Sequence, residues 1–343
     1  MNSEFFYFDA HTTDFHPGNA YWLCFCAAHI YDEEPVIKKT ILEKGMDRFN
    51  FISNDTTQCI VVSNDQVVII AFRGTEKTQR EDIATDLELE QVTDFGGQVH
   101  KGFAKAYGLI QDELKSVLSL HQTEEHTIWI TGHSLGGALA CLCGYDLEED
   151  GIPVQGIYTF GQPRVGNPQF CTVFDNCLKI KHFRIVHKDD RIPTFPFDRI
   201  KVKKQYFEYV DMGQPLFIIK DMLLVKEYIR SENPINQAAS AVNAFPSHNK
   251  DKYLKAMEKN LDRDPFTMAP LSIVEEPIYT IDDLAQDKQE LIRKSGIKVE
   301  ELKKNASRLE TILKDSINTA RQNTNVQTKL EKFLNFKRSS KDE

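Results

Sequence analysis

The chain has 343 residues, 41% hydrophobic and 27% charged, enough for a sizeable core in one large domain with an appendage, or in two domains. Its formal net charge of −9 argues against nucleic acid as the main partner, since phosphate binding rests on clustered cations. No apolar run approaches the ~18 residues needed to span a bilayer. The opening residues, Met1 to Asp9, lack the basic and long apolar segments of a secretory leader. The expected location is therefore cytoplasmic, with leaderless export left open. Seven cysteines, an odd number, lie largely in apolar segments and read as reduced core residues. The Cys24-x-Cys26 and Cys141-x-Cys143 spacings do not suit common zinc sites.

Pro17-Gly18-Asn19 starts a segment through Tyr31 that predicts a buried helix. Phe49–Ile52, Cys59–Ser63 and Gln66–Phe72 predict strands, the last two forming a hairpin around Asn64-Asp65. Phe103 to Leu120 has the spacing of one helix. Thr127–Thr131 reads as a buried strand, and the small apolar run from Gly137 to Leu147 as a buried helix. Val154–Gly161 and Ile180–His187 predict further strands, with a short helix over Pro168–Asn176 between them. Tyr206–Val210 and Pro215–Ile219 read as a hairpin around Met212-Gly213-Gln214. Alternating strands and helices imply an α/β sheet with parallel central strands.

Between the strand ending at Thr131 and the helix stands Gly132-His133-Ser134-Leu135-Gly136, a Gly-x-Ser-x-Gly pattern. A strand, a sharp turn carrying serine and a helix make a nucleophile elbow. The glycines permit close approach of neighbouring backbone, and the helix N-terminus aims free N–H groups at the reacting oxygen. Acyl transfer also needs a base, an acid that orients it and oxyanion donors. In this fold the order along the chain is serine, acid, histidine. Of the ten histidines only His182, His187 and His248 follow Ser134, and only His248 follows the acid candidates Asp189 and Asp190. His248 lies in a loop before a helix, and either aspartate could orient it.

Several segments resemble the class 3, fungal-type lipases in that family's order: Val68–Thr75, Val99–Phe103, Ile130–Ala138, Thr159–Asn167 and Phe183–Pro193. The resemblance implies an α/β-hydrolase fold over residues 1–262, with a mostly parallel central sheet flanked by helices. It implies a serine esterase or lipase acting on lipid or other acyl esters. The family's acid lies three residues before the proline, which falls on Asp190. The oxyanion donors implied are the backbone N–H groups of Thr75 and Leu135, with Arg73 structural. No metal or organic cofactor is implied. Where the family often carries Asp-Trp in an apolar lid, this chain has the heavily charged Glu76–Leu87 with Ile83 at the tryptophan position, which favours polar lipids over oil droplets. The competing reading is a catalytically silent lipase-like scaffold used for binding or signalling.

Residues 263–280 contain Pro265, Pro270 and Pro277 and read as a linker. Residues 281–343 predict a helical extension, with apolar side chains stepping through Val299, Leu302, Ala306, Leu309, Leu313, Ile317 and Ala320. That stripe suits packing on the catalytic domain, a coiled coil or other self-association, or a helical protein partner. Phe333, Leu334 and Phe336 beside Lys332, Lys337 and Arg338 suggest contact with a membrane surface.

Overall fold

Runs of β-branched residues separated by helical segments assemble into one large sheet. The computed structural model describes residues 7–74, 90–202, 205–227 and 247–266. The chain divides into two units, Met1–Pro277 and Ile278–Glu343, and all described residues belong to the first. The expected tail and most of the expected linker lie outside the described residues.

The central sheet contains β1 (Arg48–Asn54), β2 (Thr57–Ser63), β3 (Val67–Phe72), β6 (Thr127–His133), β7 (Val154–Phe160), β8 (His182–His187), β11 (Gln214–Ile218) and β12 (Leu224–Val225). Their order is β1-β2-β3-β6-β7-β8-β11-β12. Neighbours from β3 to β11 pair in parallel, while β1, β2 and β12 join by antiparallel pairing at the edges. Two short ribbons stand apart, β4 (Gln91–Asp94) with β5 (Gly97–His100), and β9 (Arg199–Val202) with β10 (Gln205–Glu208). This is the α/β-hydrolase fold.

Every residue of β3 is buried, as a strand covered on both faces requires. Its side chains alternate between two apolar layers: Val67, Ile69 and Ala71 enter one, Val68, Ile70 and Phe72 the other. The first layer is closed by α1 (Pro17–His29), α2 (Glu34–Glu43) and α7 (Lys250–Lys259). The second is closed by α3 (Lys101–Gly108), α4 (Gln111–His121), α5 (Leu135–Glu149) and α6 (Pro168–Leu178). Helix α5 is buried almost all round, so small residues such as Ala138 and Ala140 allow it to lie close to the sheet. All seven cysteines are free thiols, six of them buried.

Two expectations need correction. The single helix over 103–120 is two, because the chain turns at Gly108 and leaves helical geometry at Ile110 (φ −123°), which is fully buried. The hairpin of 206–210 with 215–219 does not form. Instead, residues 205–208 pair with 199–202, and β11 extends the sheet in parallel beside β8. The local pattern missed the long-range preference of Leu216 and Ile218 for the core, where both are fully buried. Gly213 (φ +73°) lets the backbone pass against the His182 ring, where a Cβ would overlap it. Helix α2 was not anticipated; of its apolar side chains Ile37 and Ile41 reach the core, while Val36 and Leu42 are exposed.

Candidate active site

Strand β6 runs into α5 through Ser134, whose backbone sits at φ +61° and ψ −130°, a strained geometry for a residue with a side chain. Sterics show why glycines flank it. A Cβ on Gly132 would strike the carbonyl of Gly136, and one on Gly136 would strike that of Phe72. The Ser134 N–H donates to the carbonyl of Phe160 (2.9 Å), pinning the turn to the end of β7.

The serine is 1% exposed, and its Oγ is 2.7 Å from Nε2 of fully buried His248. On the other side of the imidazole, Nδ1 is 2.6 Å from Oδ2 of Asp190, which is 1% exposed. Asp190 lies in the turn leaving β8, where its N–H donates to the His187 carbonyl (2.9 Å). Its second oxygen, Oδ1, accepts from the Ile192 N–H (2.9 Å). The structure thus brings Ser134, Asp190 and His248 together from β6, β8 and the loop before α7, across 114 residues of sequence. Asp189 instead presents its backbone N–H to His187 Nδ1 (3.3 Å), and its side chain is half-buried.

His182 belongs to a separate buried cluster. Its Nε2 lies 3.1 Å from both Thr159 Oγ1 and Gln162 Oε1. Burial lowers its pKa to about 3, with the Arg184 cation adding to the effect. This ring stays neutral at ordinary pH.

Two supports of the imidazole escaped the sequence reading. Tyr253, in the first turn of α7, donates its hydroxyl to Asp190 Oδ2 (2.6 Å) and accepts the His187 N–H (3.0 Å). Burial raises the Tyr253 pKa well above its usual value, and the Asp190 charge pushes it further, so the hydroxyl keeps its proton and remains a donor. The five-residue step from His248 was visible, but the sequence does not say that α7 aims Tyr253 at Asp190. The second support is His133, stacked on His248 with centroids 4.6 Å apart and planes 28° apart. The Tyr31 hydroxyl lies 3.2 Å from His133 Nδ1. No local signal marks that pairing, since 102 residues separate the partners.

Leu135 opens α5, so its N–H belongs to the first turn, where no intrahelical acceptor exists. Thr75, the other expected oxyanion donor, lies outside the described residues, as does the charged segment 76–87. The preceding Gly74 is packed so tightly that a Cβ would strike the His133 carbonyl and the Tyr31 hydroxyl and come within 3.1 Å of Ser134 Cβ. Arg73 Nη1 donates to Gln58 Oε1 (2.8 Å), and its guanidinium lies over the Tyr31 ring.

A serine held in a strained elbow, aligned with a buried histidine and aspartate, is an arrangement for acyl transfer. Residues 69–200 match the family model for lipase (class 3). Over this segment the chain is similar to the class 3 lipases. A lipase of Caenorhabditis elegans is 33% identical over 172 residues, 47% of each chain. The lipase of Rhizomucor miehei is 36% identical over 142 residues, 39% of this chain and 38% of that one. The solved complex of that lipase with its propeptide superposes with a TM-score of 0.53 at 26% identity, covering 66% of this chain and 77% of the other. The chain spans about half the length, or less, of the curated relatives it matches first.

Proposed function

We propose that this class 3 lipase-like protein hydrolyses carboxylic esters of lipids through a Ser134–His248–Asp190 triad and an acyl-enzyme. The observation that carries the proposal is the pair of short contacts, 2.7 and 2.6 Å, running from Ser134 Oγ through His248 to Asp190 in a buried site. The relatives named as lipases support the same class of substrate.

In the proposed reaction His248 Nε2 takes the Ser134 hydroxyl proton as Oγ attacks the ester carbonyl. Asp190 holds the imidazole tautomer through Nδ1 and stabilises the imidazolium. The N–H of Leu135 and that of Thr75 receive the developing oxyanion, each worth ~3 kcal/mol of transition-state stabilisation. Collapse returns the proton from His248 to the departing alcohol and leaves an acyl group on Ser134. Water then attacks that acyl group, with His248 again as base. The charged segment Glu76–Leu87 favours esters of polar lipids over a bulk oil phase. The catalytic unit in this reading is residues 1–262, with 263–280 as linker and 281–343 as a helical tail.

The test is turnover of a p-nitrophenyl ester series, a phospholipid and a triglyceride by wild type and Ser134→Ala, with fluorophosphonate labelling alongside. Ester hydrolysis and labelling that both vanish in Ser134→Ala are the expected result. Undiminished turnover by that variant would overturn the mechanism.

A further inference from the structure

Among the described residues one arginine or lysine is buried, Arg184, and one carboxylate, Asp190. Both belong to one short segment, Arg184 on β8 and Asp190 in the turn that leaves it. Side chains alternate along a strand, so Arg184 stands on the face opposite Phe183 and Ile185, which pack in the first apolar layer. Every position of β8 is buried, and an apolar residue would be the ordinary occupant of this place. Taking a guanidinium out of water is costly unless its donors are matched. The partners of Arg184 therefore show what the charge does there.

One partner is an anion. Arg184 Nη1 lies 3.0 Å from Asp211 Oδ1, and the half-exposed Asp211 is shared with Arg164, whose Nε is 3.2 Å from the same oxygen. The other two partners are main-chain carbonyls. Arg184 Nη2 donates to the carbonyl of Pro193 (2.5 Å) and to that of Gln162 (3.2 Å). Both belong to loops that touch the Asp190–His248 pair. Gln162 follows Gly161, whose Cβ position lies 2.9 Å from both Asp190 Oδ2 and His248 Nδ1. Pro193 follows Ile192, whose N–H donates to Asp190 Oδ1 (2.9 Å). One guanidinium nitrogen thus fastens the backbone beside Asp190 Oδ2 to the backbone beside Asp190 Oδ1. Strand pairing cannot do this, because β7 and β8 have ended before these two carbonyls.

We propose that Arg184 is a positioning residue: its guanidinium clamps the loop after β7 to the turn after β8 and so fixes Asp190, and through it the His248 imidazole, at the observed distances. The consequence for turnover rests on the proposed ester hydrolysis, but the clamp itself does not. Arginine suits the role because its planar fork carries several donors in fixed directions, so one end holds Asp211 while the other holds two carbonyls. Lysine would keep the charge on a flexible stem without the fork. At 5% exposure Arg184 offers substrate almost no surface, so its effect passes through Asp190 and His248.

The test compares wild type with Arg184→Lys, Arg184→Met and Asp211→Asn in the full chain. Turnover of a soluble short-chain p-nitrophenyl ester is counted per serine titrated by a fluorophosphonate. Small displacements of reacting groups cost up to ~100-fold, so both Arg184 variants should lose roughly 10- to 100-fold in kcat with KM within about twofold. Asp211→Asn keeps an acceptor for Nη1 and leaves both carbonyl bonds, so its kcat should stay within about twofold of wild type. Arg184→Met removes the buried charge and leaves Asp211 with Arg164, so it carries the comparison where the lysine variant does not fold. The second readout is the proton resonance of the 2.6 Å bond between His248 Nδ1 and Asp190, which should move in both Arg184 variants and stay in Asp211→Asn. A residue that only added stability would lower the urea midpoint and leave kcat per serine and this resonance in place. Wild-type kcat per titrated serine in a folded Arg184 variant, or an equal loss in Asp211→Asn, would overturn the proposal. A wild type that turns over no ester would remove the hydrolase reading, and the resonance alone then decides the clamp: moved in the Arg184 variants it stands, unmoved it falls.

Discussion

Replacing Tyr253 by phenylalanine tests whether the Asp190 carboxylate needs the tyrosine hydroxyl beside His248. The change removes one hydroxyl from a fully buried site and alters no volume elsewhere. Two bonds go with it: the 2.6 Å donation to Asp190 Oδ2 and the 3.0 Å acceptance from the His187 N–H. A hydrogen bond to a charged group contributes about 1.5–3 kcal/mol, and an orphaned buried N–H costs about 1–3 kcal/mol. The folded state should lose roughly 3 kcal/mol, read by urea unfolding. In the Asp190→Asn background the same change should cost less by at least ~1 kcal/mol, because the charge assistance is gone. Kinetics carry the sharper signature. On a soluble ester the loss should appear in kcat rather than KM, because Tyr253 touches Asp190 and not the substrate. The plateau kcat should fall about tenfold as the carboxylate loses its fixed position. Wild-type stability with an undiminished kcat would refute the role assigned to Tyr253.

Three other outcomes follow from the geometry. Gly161→Ala places a Cβ 2.9 Å from Asp190 Oδ2 and His248 Nδ1 at φ +63°, so turnover should drop about 100-fold while stability falls by ~1–3 kcal/mol; near-normal turnover would mean that the triad tolerates the displacement. His182, with a folded pKa of about 3, binds its proton more readily in the unfolded chain, so its contribution is fully present above pH ~6.5 and is lost as pH falls towards 3. Urea unfolding at pH 7.5 and 5 should show His182→Gln losing ~2 kcal/mol less than wild type over that interval, and parallel losses would place the acid sensitivity elsewhere. Burial raises the cysteine thiols, Cys26 and Cys171 to about 12, so a disulfide reagent should reach only half-buried Cys177, and slowly, before unfolding; rapid labelling of several thiols would contradict the packing.

What could be read from the sequence divides along the range of the interactions involved. The elbow was legible because its constraints are local: Gly132 and Gly136 oppose each other across one turn, and the flanking strand and helix are continuous with it. His248 was legible through chain order, which is a topological consequence of where β6, β8 and α7 stand. The choice between Asp189 and Asp190 was not decided by the residues themselves. It depends on the turn after β8, where the bond from the Asp190 N–H to His187 points one carboxylate inward and leaves its neighbour at the edge. The misread hairpin around Gly213 shows the opposite case. Residues 206–210 and 215–219 alternate acceptably for mutual pairing, yet the free parallel edge of β8 offered Leu216 and Ile218 a buried face that a two-stranded ribbon could not.

The arrangement also explains why the residue before Ser134 matters. His133 cannot reach back to Ser134, and its ring instead lies flat against His248, steadied by the Tyr31 hydroxyl. The imidazole is thereby fixed on three sides: its two nitrogens by Ser134 and Asp190, and one face by His133. Beyond His248 the chain is anchored by Asn249, whose Oδ1 caps α7 through the Asp251 N–H (3.0 Å), and by Tyr253, Ala256 and Met257 in the core. One pentapeptide thus supplies the Ser134 hydroxyl, a platform for the His248 ring and, at Leu135, an N–H at the start of a helix. The strained φ of Ser134 is what makes this economy feasible. A relaxed turn would spread His133, Ser134 and Leu135 along one line, whereas the elbow sends the serine hydroxyl to His248, lays the His133 ring against that imidazole and leaves the Leu135 N–H in the first turn of α5.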